Sequence, residues 1–153
     1  MIATNLTSAF IALKTFVGLF KQQLAEFPDV HPSAVLLSSV AAGRGLPNHE
    51  AIAAAKAGLE ALARSTAASY PYVRVNCIAP GLIDSKMTSK IVQNERALAA
   101  SVSLNAIKRA GKGADIAHAV LYFLSEQSGY VTGQVLGVDG GMSVLGFPVV
   151  QSK

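Results

Sequence analysis

A hydroxyl and an ammonium stand out in this sequence. Ser39 closes an apolar run, and Lys56 lies among alanines, with Ala53, Ala54 and Ala55 before it and Ala57 after. A serine hydroxyl can both donate and accept a hydrogen bond, and a lysine ammonium donates three. On a helix the residue four positions before Lys56 shares its face. That residue is Ile52, which has no proton to give. His49 precedes Ile52 by one turn, so its imidazole is a candidate proton donor on the same face, while its plainer role is a helix N-terminal histidine followed by the acidic Glu50. The tyrosines, Tyr70, Tyr72, Tyr122 and Tyr130, belong to other elements. A serine-hydrolase role for Ser39 is excluded, because no Gly-x-Ser-x-Gly elbow surrounds it.

The elements that must carry these residues are legible from periodicity. Leu6, Phe10, Leu13, Val17, Phe20 and Leu24 recur every three or four positions, which predicts an amphipathic helix from Asn5 to Leu24 with a weakly polar opposite face. Ala34-Val35-Leu36-Leu37 is a continuous apolar run, predicting a strand buried on both faces. A loop with Gly43, Gly45 and Pro47 follows, then a helix rich in Ala and Leu over 49–69. Tyr72 to Ile78 predicts a strand stopped by Pro80-Gly81. Beyond it, 83–113 reads as an irregular lid with a helix near Glu95 to Ala100, followed by a helix over Asp115 to Leu124 and a last strand over Gln134 to Val138. Alternating strand and helix imply parallel strands with helical crossovers, an α/β layer fold in a single domain over 1–153.

Four patterns occur in order on those elements: Ser38-Ser39-Val40-Ala41, Lys56, Asn-x-x-x-Pro-Gly at 76–81, and Tyr-Val-Thr-Gly-Gln-Val-Leu-x-Val-Asp-Gly-Gly at 130–141. Together they resemble the second half of the classical short-chain dehydrogenases/reductases, from Asn5 almost to the end. The resemblance implies a partial doubly wound, Rossmann-like parallel sheet whose N-terminal dinucleotide-binding half is missing. It also implies NAD or NADP as cofactor and carbonyl or hydroxyl substrates. Asn5 then matches an asparagine of a proton relay, Ser39 the serine that holds the substrate oxygen, and Lys56 the lysine that binds the nicotinamide ribose. Pro80, Gly81, Ile83 and Ser85 match the loop at the nicotinamide carboxamide.

Two departures change the expected function. The family's catalytic tyrosine stands four residues before the lysine, where this chain has Ile52. Loss of a positioned acid costs roughly 10²- to 10⁴-fold in rate. The Gly-rich phosphate loop is also absent; Gly43-x-Gly45 follows a strand but falls in the substrate loop. The expectation is a degenerate protein, impaired on its own, from a chain that Met1 starts part-way through the family fold. It is expected to act through homo- or hetero-oligomers built on helices 5–28 and 49–69, as the family's interface implies. The alternative is an oxidoreductase whose cofactor half comes from upstream sequence or another chain, with His49 or water as acid.

Bulk properties narrow the setting. With 153 residues and mean hydropathy +0.40, the chain has apolar surface to bury against something else. The net charge of +4 comes from scattered Lys and Arg with one cluster, Lys108, Arg109 and Lys112, so nucleic acid is not an expected partner. Every apolar stretch is broken by a charge, an amide, Gly or Pro, which argues against a membrane span. The start carries no basic region before an apolar core, and Cys77 is the lone cysteine, so the cytoplasm is the expected location.

Overall fold

Three short strands carry the apolar runs, and all are parallel. The computed structural model describes residues 1–146 and places β1 (Ser33–Leu37), β2 (Arg74–Pro80) and β3 (Val135–Val138) in the order β1-β2-β3. The registers Leu37↔Ile78 and Ile78↔Leu136 fix which side chains share a face. Helices connect the strands: α1 (Ser8–Gln23) precedes β1, α2 (Glu50–Ser69) joins β1 to β2, and α3 (Ser89–Val92), α4 (Glu95–Val102) and α5 (Gly113–Leu124) lie between β2 and β3.

Strand alternation sorts the helices into layers. Ala34, Leu36, Val75 and Cys77 pack with Leu13, Phe16 and Val17 of α1 and with Leu62 and Ala63 of α2. Residues of the opposite parity face α5: the Ser33 hydroxyl and the Arg74 guanidinium both donate to the Phe123 carbonyl, at 2.8 and 3.0 Å. Arg74 also donates to the carbonyls of Ser125 and Ser128, so one guanidinium caps the carboxyl end of α5. The result is an α/β sandwich of helix, parallel sheet and helix.

The central strand is the buried one. Val75, Asn76, Cys77 and Ile78 are fully buried. β1 corrects the expectation of burial on both faces, since Leu37 is 48% exposed and the rest of the strand only half-buried. The reason is position: among the described residues β1 pairs with β2 alone, and α5 reaches its start, at Ser33, rather than its end. The strand expected over 72–78 starts two residues later, because Tyr70 to Val73 close a turn through the Val73 amide and the Tyr70 carbonyl. It also continues to Pro80, which lies beyond the last β1 pair, so its missing N–H costs that ladder nothing.

The first helix differs more. Ala3–Thr7 is a π-helical segment feeding α1, and the α-helix ends at Gln23, leaving 24–28 outside it. The run Ala3–Gln23 has the length and composition of a membrane span, which the sequence reading had set aside. Its Leu13 and Val17 are nevertheless buried in the core against α2 and the sheet.

Candidate functional site

Several of the residues singled out in the sequence gather at the carboxyl ends of the strands, where open parallel sheets present their sites. β1 delivers Ser38 and Ser39, α2 delivers Ile52 and Lys56, and β2 delivers Pro80, Gly81 and the loop to Ser85.

Ser39 caps a short 3₁₀ turn, Val40–Ala42, its hydroxyl accepting from the Ala41 amide at 3.2 Å. Its neighbour Ser38 is buried and donates to Glu60 Oε1 at 2.6 Å. Lys56 Nζ donates to the Leu37 carbonyl at 2.6 Å. Burial lowers the lysine's pKa, with the nearby Cys77 working the other way. Ile52, Lys56 and Glu60 follow one another at helical spacing, so a half-buried aliphatic side chain stands one turn from the ammonium.

His49 stands apart from this group. It is the N-cap residue of α2, exposed, with Nδ1 at 2.8 Å from the Pro47 carbonyl. A carbonyl only accepts, so His49 donates to it through Nδ1. The cleft that His49 lines is walled by Arg44, Gly45, Leu46 and Ala53, without Ile52 or Lys56. Asn5 lies within the π-helical segment and donates through Nδ2 to the Met1 carbonyl at 3.1 Å. That segment packs on α2: a Cβ on Gly58 would stand 2.8 Å from Leu6 Cδ2, so glycine there permits the contact, two residues beyond Lys56.

At the end of β2, Gly81 is required by close approach, because a Cβ would meet the Asp139 backbone at 2.9 Å. Asp139 accepts from the amides of Gly141 and Ser143, both at 2.8 Å. Burial works against its charge, yet these hydrogen bonds win and hold its pKa below the ordinary carboxylate value. The Leu82 carbonyl and the Asp84 amide pair with Gly111, which turns Ile83's own peptide groups the other way, and the Ile83 carbonyl accepts from Thr88 Oγ1. Ser85 Oγ is 3.1 Å from the same Thr88 hydroxyl. A cavity of about 360 Å³ opens beside this loop, lined by Leu82, Ile83, Asn105, Gly111, Val138 and Asp139 among others; Ser39, Ile52 and Lys56 are not in its wall.

The other two motifs prove to be fasteners. Asn76 is fully buried, donating to the Val131 carbonyl and accepting from the Gln134 amide, each at 3.0 Å, while Thr132 Oγ1 accepts from the Val75 amide at 3.0 Å. They hold the entry of β3 against β2 and so set the height of the Asp139 turn.

The chain that carries this strand-end serine, helix lysine, Pro-Gly loop and Asp-Gly-Gly turn is similar to known proteins over most of its length. The profile of the family described as Enoyl-(Acyl carrier protein) reductase matches residues 1–143. The chain belongs to the short-chain dehydrogenase/reductase family. It is 38% identical over 114 residues to the 3-oxoacyl-[acyl-carrier-protein] reductase FabG of Thermotoga maritima, covering 73% of this chain and 46% of that protein. It is 34% identical over 147 residues to the 3-oxoacyl-[acyl-carrier-protein] reductase MabA of Mycobacterium avium, covering 94% and 54%. Among solved structures, a 4-hydroxyisoleucine dehydrogenase complexed with NADH superposes with a TM-score of 0.86 at 25% identity, covering 95% of this chain and 58% of that one. An Agrobacterium tumefaciens protein assigned as a 2-deoxy-d-gluconate 3-dehydrogenase, with bound NADP, gives 0.81 at 28% identity, covering 90% and 55%. The chain therefore spans about half the length of the relatives it matches.

A nicotinamide cofactor fits these residues at one end only. Lys56 and the 80–85 loop share the carboxyl edge of the sheet, as the nicotinamide end requires. Among the described residues no strand runs through a Gly-rich turn into a helix N-terminus that would take a pyrophosphate. Sequence reasoning missed Glu60, Ser38 and Thr88. Glu60 was detectable as the next step of the Ile52–Lys56 stripe, whereas the Ser38 and Thr88 contacts depend on folding.

Proposed function

We propose that this chain is a short-chain dehydrogenase/reductase protein that is impaired as a reductase on its own and acts through association. The observation that carries the reading is Ile52, one helical turn before Lys56, where the chemistry calls for an acid. Reduction of a carbonyl places charge on the oxygen as hydride arrives, and a positioned acid relieves it. Ser39 is able to hold that oxygen, but neither candidate for a relay is joined to it by a hydrogen bond: Asn5 binds the Met1 carbonyl, and His49 binds the Pro47 carbonyl. When bound, an NAD or NADP nicotinamide would supply the hydride; Lys56 would hold its ribose, and Pro80, Gly81, Ile83 and Ser85 its carboxamide side.

Association would use the outer faces of the π-helical segment, α1 and α2. Phe10 and Ile11 are 49% and 58% exposed, and a groove lined by Leu6, Phe10, Gly58, Ala61, Leu62 and Ser65 runs between these helices. The partner is a second copy or an intact relative. A second reading, an oxidoreductase completed by another polypeptide, is favoured by the retained placement of Lys56 and the 80–85 loop. The names of the relatives suggest a 3-oxoacyl thioester as its substrate. Following NADPH oxidation with a 3-oxoacyl thioester, alongside sedimentation of the chain, tests both parts. We expect no turnover and a dimer or larger species that Phe10→Asp dissociates; turnover comparable to an ordinary reductase, or a monomer at micromolar concentration, refutes the proposal.

A further inference from the structure

The segments that follow β1 and β3 are joined by one side chain. Arg44 lies at the close of the turn that Ser39 caps, its amide donating to the Val40 carbonyl at 2.9 Å. Its guanidinium reaches the turn after β3 and donates through Nη1 to the Met142 carbonyl. Because β2 is the central strand, this bond straddles the carboxyl end that delivers Pro80 and Gly81. Arg44 is half-buried, and among the described residues Nη1 alone finds an acceptor, so most of the five N–H groups remain for a ligand. The ion pair among the described residues is Arg109 with Asp115, so no carboxylate of the chain takes this guanidinium there.

The cleft beside Arg44 has a volume of about 310 Å³ and is walled by Ala41, Gly43, Gly45, His49 and Glu50 among others. A Cβ on Gly43 or Gly45 would meet nothing within 4 Å, so the wall on both sides of the arginine is open to an incoming group. The cleft also borders the candidate site. The Ser39 hydroxyl accepts from the amide of Ala41, the first residue of the wall, and Ala53, which lines the far side, follows Ile52. We infer that this cleft seats the carboxylate of a short oxo or hydroxy acid whose reacting oxygen rests on Ser39, with Arg44 as the residue that selects it.

The chemistry of the wall sets the class of ligand. A guanidinium is a planar fork that matches the two oxygens of a carboxylate, and its bond to Met142 holds it in place before the ligand arrives. Glu50 stands in the same wall and repels an anion in proportion to its charge, which favours a singly charged carboxylate over a doubly charged phosphate. His49 has Nδ1 on the Pro47 carbonyl, so Nε2 can donate to an anion only when the ring is charged, and the selection falls to Arg44. The inference rests on the reading that Ser39 holds a substrate oxygen, and it gives that substrate a free acid group, which a 3-oxoacyl thioester lacks at its thioester carbon.

NMR titration of the full chain, without cofactor, tests this with levulinate, a stable oxo acid, and with its methyl ester, which keeps the carbonyl and loses the charge. Levulinate should move the Arg44 Nε–H signal and the amides of 43–46 saturably, and methyl levulinate should bind about 10-fold more weakly or worse, as expected for losing a hydrogen-bonded charge. Arg44→Met should lower the affinity by a similar factor. Arg44→Lys keeps the charge and loses the fork, so it should fall between the two even if Arg44→Met does not fold. Lys21→Met removes the same charge from α1 and should change nothing. Equal binding of acid and ester overturns the inference, as do a response that sodium chloride reproduces at the same ionic strength, an Arg44→Lys chain that binds as tightly as the unaltered one, and equal weakening by Lys21→Met. Turnover and sedimentation test the wider functional reading without any carboxylate, so either can fail alone.

Discussion

Installing a phenol at position 52 measures the electrostatic field beside Lys56 without any cofactor. In Ile52→Tyr the new side chain stands four residues before Lys56 on α2, with Cβ atoms separated by roughly 5–6 Å on a helix. A full positive charge about 6 Å from a phenolate, at an effective dielectric of about 20, favours ionisation by ~2.8 kcal/mol, or roughly a hundredfold in acidity constant. Desolvation opposes this, because Ile52 is half-buried, so an increase of roughly ten- to a hundredfold is expected. The sign is fixed: a cation stabilises the phenolate, so the new tyrosine should ionise at lower pH than an ordinary one. Ultraviolet difference titration against the unaltered chain isolates it from the four native tyrosines. Lys56→Met in the same background should return the phenol to ordinary behaviour. A phenol that titrates normally in Ile52→Tyr, or one whose shift survives Lys56→Met, refutes the claim that position 52 faces the ammonium.

Four further outcomes follow from the contacts. Asn76→Ala strands the Val131 carbonyl and the Gln134 amide, so urea unfolding should show a loss of about 2–4 kcal/mol. Cys77 has its thiol pushed up to about 12, burial being the main cause with Glu60 adding to it, so a thiol reagent at pH 8 should label the folded chain only at the rate of opening. Because that pKa is raised on folding, the thiol's contribution to stability is complete below about pH 9 and fades as pH rises towards 12, which melting temperatures across that range will record. Asp139 is shifted the other way: its contribution is present above the ordinary carboxylate range and is lost as pH falls through its lowered value, and Asp139→Asn should remove that part of the acid dependence.

Much of the fold was readable because its signals are local. Helical periodicity fixed α1 and α2 to within a few residues, and the β1 and β3 runs were bounded by Pro32 and by the Gly133 and Asp139 turns. The burial of β1 was misjudged because an apolar run reports what a strand can tolerate, whereas exposure depends on which neighbours flank it. The site was readable as types and order and opaque as contacts. Nothing about Lys56 in the sequence says that its ammonium rests on a backbone carbonyl of the strand before it. His49 illustrates the opposite limit: helical spacing placed it near Ile52, but the Pro47 carbonyl decides which of its nitrogens carries hydrogen.

Position 52 and the edge of β1 bear on the same few atoms. Ile52 offers no proton one turn before Lys56, and the edge of β1, unpaired among the described residues, gives that lysine a carbonyl to hold. A charge-assisted bond of this kind is worth about 1.5–3 kcal/mol, comparable to what a ribose hydroxyl offers. A ligand that needs Lys56 must therefore displace a bond of similar strength, which weakens its hold on the chain alone even where the nicotinamide end of the site is intact. Ile52→Tyr would supply a phenol one turn before Lys56 and leave that competition in place, so it alone should not bring NADPH oxidation to the chain.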